Sequence, residues 1–576
     1  WLKRLSCVGR HPLGGVRLAA SCFRFGPLCS RGAGQPALWW GLCMKLFIAV
    51  TAVCLADLPV HCPEDTLLGD WEFVLSAPSD VRSSCGHTRP DDGSAPTAGQ
   101  WAQSGEKVEL TLASMNRAML ASGEQVFWTA VSDAGMSLSL PGRELFAFGK
   151  FDPLPADVGV GHVPLSLSER HSHCRETSVG WWRSADRTKF GCYVGRRTDK
   201  DSTLVSLGEQ AEDGLMSAKA LDQASMTEQA QEGALLWSSF MQSRVVAAIN
   251  KRQRLWTAST YASWAGKTDR QLRLMLGSGR ARGEPLLLPA SWAAAWSHPH
   301  RIRRRFAGIA SSSELRRGAS LDWRMALNGA SALDEPMAQF RSDRDEHPCG
   351  GCYAIAATRM LSARHRIAQG NASLPGFSIS FPMYCSEYTQ GCNGGFPFLT
   401  AKFGEDVGLL PESCAPYTVS GSCAVSCSKQ DVQQRLRAAN HRYLTKPGGI
   451  AAEDIMEELA SGPIAVSFDA RQDLKLYKGG VYRSPTSGEE LAMVQAAGAS
   501  SWLPVTHAVL LVGFGTDTKT GADYWLMQNS WGQEWGEQGY FRILREDPSL
   551  QGALYVVADV VPDDRPSIMD NMLGWA

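Results

Sequence analysis

The sequence predicts an α+β protein with two folded units in series, an antiparallel β unit followed by a larger unit of mixed helices and strands. Residues 57–195 alternate apolar and polar positions with period two, as in Asp70 to Leu75, Glu106 to Leu112 and Thr188 to Val194, between breaks of Gly, Asp, Pro and Ser. An apolar, helix-compatible run, Ala354 to Leu361, follows Cys352, and a strand-like run, Ala508 to Phe514, follows His507. The chain has 576 residues, 44% of them hydrophobic, enough for several domains with sizeable cores. Its 57 Lys and Arg against 58 Asp and Glu leave a net charge of −1, which argues against broad binding of nucleic acid or anionic membranes. No apolar run reaches the roughly 18 residues that span a bilayer.

In chain order, residue 1 is Trp, and residues 1–43 are expected to be a non-native or untranslated upstream segment. Met44 to Ala56, reading MKLFIAVTAVCLA, has the basic residue, apolar stretch and small residues of a signal peptide cut before Asp57. Residues 57–195 form the β unit. Residues 196–285 turn polar, then amphipathic through Ala234 to Phe240 and Val245 to Ile249, which predicts helices in a linking or propeptide region. Residues 286–565 form the second unit, and 566–576 a tail. Within the second unit, 293–320 carries a basic run, Arg301 to Arg305, and reads as a solvated insert or a sequence error rather than a polyanion site.

Sixteen cysteines are present, and five of them (Cys7, Cys22, Cys29, Cys43 and Cys54) precede Asp57. Eleven remain, an odd number. In an oxidising compartment that implies five disulfides and one thiol left over, a candidate nucleophile. The sequon at Asn371 fits the same secretory route and marks a glycosylation site.

Cys352 sits in Cys349-Gly-Gly-Cys352-Tyr353 at the predicted start of a helix, where the macrodipole favours a thiolate. His507 lies 155 positions downstream and Asn529 177 positions downstream. A thiol, an imidazole base and a group that orients it make a nucleophilic site if they converge. Alone, each has a plainer reading: C-x-x-C is also the spacing of a redox pair or half a zinc site, and a lone His is often a core residue.

Together, Cys-Gly-Gly-Cys-Tyr, Gly391-Cys-Asn-Gly-Gly395 and the run from Asn529 through Ser-Trp-Gly to Tyr540 resemble the papain-like cysteine proteases. The resemblance implies a two-lobed protease, one lobe helical and one a β-barrel, with Cys352, His507 and Asn529 as its catalytic residues. Stretches such as Leu67 to Trp71, Leu288 to Trp292 and Tyr388 to Cys392 extend it to the dipeptidyl peptidase branch, in which an antiparallel β-barrel exclusion domain precedes the protease. That branch blocks the far end of the groove and releases dipeptides from substrates with a free N-terminus. On this resemblance Asp57 would pair with the substrate's α-ammonium, and Gly394, Gly395, Phe396, Pro397 and Thr506 would line the substrate site. Trp531 would shield the His–Asn contact. The disulfides it implies are Cys62–Cys174, Cys85–Cys192, Cys349–Cys392, Cys385–Cys423 and Cys414–Cys427. It also implies a lysosome- or vacuole-like compartment or secretion, no organic cofactor, no metal, a homotetramer, and maturation by excision within 196–285 and a cut in 484–503.

The sequence departs from that pattern in four places. Glu346 stands where the family has an oxyanion-binding Gln, and an ionised carboxylate has no proton to donate. Phe396-Pro397-Phe398 lacks the tyrosine hydroxyl with which the family holds chloride, Thr506 replaces an Asn, and the insert splits Trp292 from Leu321. The alternatives are an endopeptidase of the same fold or, because of Glu346, a weakly active or inactive homologue.

Overall fold

The computed structural model describes residues 58, 60–90, 98–114, 116–152, 172–198, 237–268, 272, 320–338, 349–419, 421–427, 435–444, 450–486, 488–489 and 505–563. The expectations for residues 1–56, Asp57, Glu346, most of the 293–320 insert, the 566–576 tail and the Thr506 side chain fall outside them.

The β unit is a nine-stranded sheet closed on itself. Strands β1 (Gly69–Leu75), β2 (Glu106–Ala113), β3 (Arg117–Leu120), β4 (Gln125–Val131), β5 (Gly135–Leu140) and β6 (Arg143–Phe151) run as an antiparallel meander. β7 (Ser172–Thr177), β8 (Gly180–Ser184) and β9 (Phe190–Arg197) complete it, and β9 pairs back onto β1 with Trp71 opposite Arg197. Closure removes the exposed strand edges of an open sheet. The inward positions are large, with Trp71, Phe73, Trp128, Phe146, Phe148 and Tyr193 all buried. Disulfides Cys62–Cys174 and Cys85–Cys192 staple the barrel. The first ties down the chain next to Leu58 and Val60, each 3% exposed.

Helix α1 (Ser239–Arg252) falls in the region where the amphipathic pattern predicts helices, and Ser238 caps it by accepting a hydrogen bond from the Met241 N–H. The chain then adds a short strand, β10 (Trp256–Ala258), to the edge of the protease sheet.

The protease unit contains helices α2 (Cys352–Gln369), α3 (Pro397–Asp406) and α4 (Ala452–Leu459). Its sheet uses β11 (Leu321–Asp322), β12 (Leu436–Tyr443), β13 (Ile464–Ala470), β14 (Tyr477–Tyr482), β15 (Val505–Thr516), β16 (Asp523–Gln528), β17 (Tyr540–Leu544) and β18 (Leu554–Pro562). α2 lies against β13, β15 and β18 and is buried along almost its whole length, so it forms the spine between the lobes. It ends at Gly370 in the left-handed conformation, which leaves Asn371 exposed in the following turn. Disulfides Cys349–Cys392, Cys385–Cys423 and Cys414–Cys427 lie on the helical side.

Candidate active site

Cys352 is the first residue of α2, is fully buried, and is the one described cysteine outside the five disulfides. Its surroundings are stapled. The Cys349–Cys392 bond ties the approach to α2 onto the 391–395 loop, Gly350 N–H donates to Cys392 O at 2.8 Å, and the Tyr353 hydroxyl donates to Gly391 O at 3.0 Å. The nucleophile candidate and the loop with Gly394 and Gly395 therefore form one rigid body.

His507 projects from β15 and Asn529 follows the end of β16, with the ladder placing Leu510 opposite Gln528. His507 Nε2 lies 2.8 Å from Asn529 Oδ1, which also accepts from Ser530 N–H at 2.8 Å. An amide oxygen can only accept, so Nε2 carries the proton of the neutral ring and Nδ1 holds the basic lone pair. Nδ1 is buried and has no hydrogen-bond partner. The Trp531 ring stacks on His507 with centroids 4.9 Å apart and lies over the His–Asn contact.

The imidazole is pushed down from 6.5 to about 4, chiefly by burial and further by the charge of Lys475, against the opposing bond to Asn529. A neutral imidazole suits a general base waiting for a thiol proton, and the ion pair forms only when a thiolate supplies the counter-charge.

Gly394 has φ 121°, a conformation that favours glycine. Gly395 was read from the sequence as making room for the substrate backbone. The structure adds a cause within the fold, since a Cβ there would lie 2.6 Å from the Tyr353 ring. Phe396 is buried and precedes Pro397, the first residue of α3. Phe398 is buried among rings, stacked on Tyr443 at 4.7 Å and edge-on to His441 at 4.8 Å. Its side chain has no hydroxyl to donate to a chloride ion.

Two features carried no sequence signal. Arg89 of the barrel brings Nη2 to 3.5 Å from where a Cβ on Gly391 would lie, so the barrel reaches the substrate-loop candidate. The 237–268 segment also covers the imidazole side. Trp264 meets Trp531 edge-on at 5.8 Å, and Trp264 and Trp535 both donate their indole N–H to Lys475 O, at 2.9 and 3.0 Å. Trp264→Ala should loosen this cover and let His507 hydrate. The protonated ring is then recovered between pH 6.5 and about 4, a window worth ~3 kcal/mol. The sign favours opening as pH falls, because the open form takes up the proton first. Alkylation of Cys352 by iodoacetamide in the intact chain at pH 5–6 should rise about tenfold in the variant; an unchanged rate would show that the cover does not govern access.

A thiol at a helix start, a buried imidazole whose proton is fixed by an amide oxygen, and a stacked indole define a thiol peptidase of the Cys–His–Asn type. The Papain family cysteine protease family matches residues 320–557, and the Cathepsin C exclusion domain matches 57–197. The chain belongs to the papain family of cysteine proteases, with a cathepsin C exclusion domain in front of the peptidase. It is 26% identical over 520 residues to cathepsin C of Schistosoma mansoni, covering 88% of this chain and 96% of that protein. It is 31% identical over 219 residues to cathepsin B-like CP2 of Giardia intestinalis, covering 37% of this chain and 67% of that protein. Against procathepsin B S9 of Trypanosoma congolense the TM-score is 0.42 at 20% identity, covering 57% of this chain and 100% of that one. Five disulfides place the protein on the secretory route. Among the described residues no helix is long and apolar enough to cross a membrane, and no His, Cys, Asp and Glu cluster could hold a metal.

Proposed function

We propose that the protein is a dipeptidyl peptidase that removes dipeptides from free N-termini through an acyl-enzyme on Cys352. The observation that carries this reading is the barrel's reach, through Arg89, to the loop stapled to Cys352. A barrel standing beside that loop would close the groove to all but a chain end. The buried Leu58 and Val60 support Asp57 as the anchor, because the chain directly after it is held in the core. Its carboxylate would pair with the substrate's α-ammonium, a charge-assisted contact stronger than an exposed ion pair.

In the reaction, His507 Nδ1 accepts the Cys352 proton, and the thiolate attacks the carbonyl of the second substrate residue. The imidazolium returns the proton to the departing amine. Water then adds to the thioester, assisted by the same imidazole, and regenerates the thiol. Asn529 holds the ring, Trp531 excludes water from the contact, and Gly394 and Gly395 flank the substrate main chain. An acidic lysosome-like compartment, a glycan on exposed Asn371 and a homotetramer belong to the same proposal.

The test compares a hexapeptide with a free N-terminus and its N-acetylated form. Dipeptides should be released stepwise from the first and nothing from the second. Cleavage of both at similar rates would establish an endopeptidase instead.

A further inference from the structure

The barrel and the protease meet across buried charge. On the barrel stand Arg82, Arg183 and Arg187; on the protease, Glu387, Glu405 and Asp406. Arg183 is 3% exposed, and its Nε lies 2.7 Å from Asp406 Oδ1 while Nη2 lies 3.1 Å from Glu405 Oε1. Arg187 pairs with Glu405 as well, and Arg82 pairs with Glu387 and donates to the Tyr388 hydroxyl at 3.0 Å. The protease completes the shell, with Lys402 Nζ 2.8 Å from Asp406 and His441 Nδ1 2.8 Å from Glu405. Tyr388 donates to Asp406 at 2.9 Å, and Phe146 and Trp181 of the barrel meet its ring edge-on at 5.5 and 4.9 Å.

Two facts give this network a task. All five disulfides lie within one unit or the other, so none of them joins the barrel to the protease. In addition, Glu405 and Asp406 are the last two residues of α3, whose first residue, Pro397, directly follows Gly394, Gly395 and Phe396. α3 is a buried ten-residue rod, so clamping its far end fixes the barrel relative to the substrate loop at its near end. Apolar contact alone is non-directional, whereas an Arg fork shared between two carboxylates permits one register.

We infer that this interdomain ion-pair network is a specificity-determining contact: it sets where the barrel sits on the groove, and thereby whether the enzyme accepts only chain ends. The inference rests on the proposed exopeptidase function. The named side chains are positioning residues and touch no substrate. Burial by itself would raise both carboxyls. His441, Arg183 and Arg187 outweigh it at Glu405, and Lys402, Arg183 and Arg82 at Asp406, so both are held far below the usual carboxylate range. Glu405 and Asp406 therefore keep their charge in an acidic compartment. Arg183 also pairs with Glu144 of the barrel, so removing one partner leaves the buried network one charge out of balance rather than empty of partners.

The experiment uses Arg183→Met and, from the other side of the contact, the near-isosteric Glu405→Gln in the full chain. Rates per active site, counted by labelling Cys352 with a peptidyl vinyl sulfone, are measured on the free-amine and N-acetylated hexapeptides. Each variant should lose at least tenfold of the selectivity for the free amine, with cleavage of the acetylated peptide appearing and label uptake retained. Arg183→Lys should recover part of it. Unchanged selectivity per labelled site in both variants would overturn the inference. A second readout does not depend on the exopeptidase reading: a specific cleavage site is introduced between residues 199 and 236 and cut. The wild-type barrel should co-elute with the protease on gel filtration and the variants' barrels should elute alone; co-elution in the variants also overturns the inference. If the wild type cleaves the acetylated peptide, the proposed function fails while the retention result still decides the role of the network.

Discussion

Substituting His507 with alanine is expected to lower kcat on the order of 10⁴-fold or more while leaving KM nearly unchanged. The magnitude follows from the way a nucleophile and its base act as a unit. In serine proteases, loss of the base alone costs about as much as loss of the whole triad, about 2 × 10⁶ in kcat. The direction follows from the geometry. Nδ1 is the ring nitrogen left basic once Nε2 is bound to Asn529 Oδ1 at 2.8 Å, so the variant loses the base proposed to take the thiol proton. Without a nearby imidazolium, alkylation of Cys352 should rise with pH only as the thiol loses its proton unaided. Stopped-flow alkylation and steady-state hydrolysis on the same samples separate a lost base from a collapsed site. A variant that still hydrolyses within tenfold of wild type would require a different general base.

Glu346→Gln is expected to act in the opposite direction, raising kcat/KM by about 10²-fold at neutral pH. An oxyanion-site donor is worth about 10²–10³ in kcat, or about 3–4 kcal/mol, and an ionised carboxylate supplies none while repelling the developing charge. Below the ordinary carboxyl value of about 4.3, the native Glu becomes protonated and can donate, so the gain should shrink as pH falls. The pH–rate profile of kcat/KM is the measurement. If the profiles of variant and wild type coincide, Glu346 has no part in oxyanion binding. A variant active at neutral pH beside a nearly silent wild type would locate the wild type's weakness at this residue.

The candidate reacting groups stand out in the sequence because the proposed chemistry allows few residue types there. A thiol opening a helix, an imidazole opening a strand and an amide before Ser-Trp-Gly keep their local signatures wherever the rest of the chain goes. The nine-strand barrel was legible through its period-two alternation, and its closure only through the long-range pairing of β9 with β1. The 237–268 cover was less legible. Periodicity announced a helix, but nothing local says that Trp264 will land on Trp531, 267 positions later. The charges joining the two units were hidden for a different reason. Arg82, Arg183 and Arg187 look like ordinary surface residues until Glu387, Glu405 and Asp406 arrive opposite them. Gly395 was read for the substrate alone because the Tyr353 ring that fills its space is brought there by the fold.

The Cys349–Cys392 bond has a further consequence for how such an enzyme is kept alive. It lies three residues from Cys352, the proposed nucleophile, and ties down the loop beside it. The site thus needs sulfur in two oxidation states at once, a reduced nucleophile and an oxidised brace. Too oxidising a medium caps Cys352, and too reducing a one frees the loop. A reagent that cleaves this bond and one that oxidises Cys352 should therefore both silence the site, by opposite chemistry.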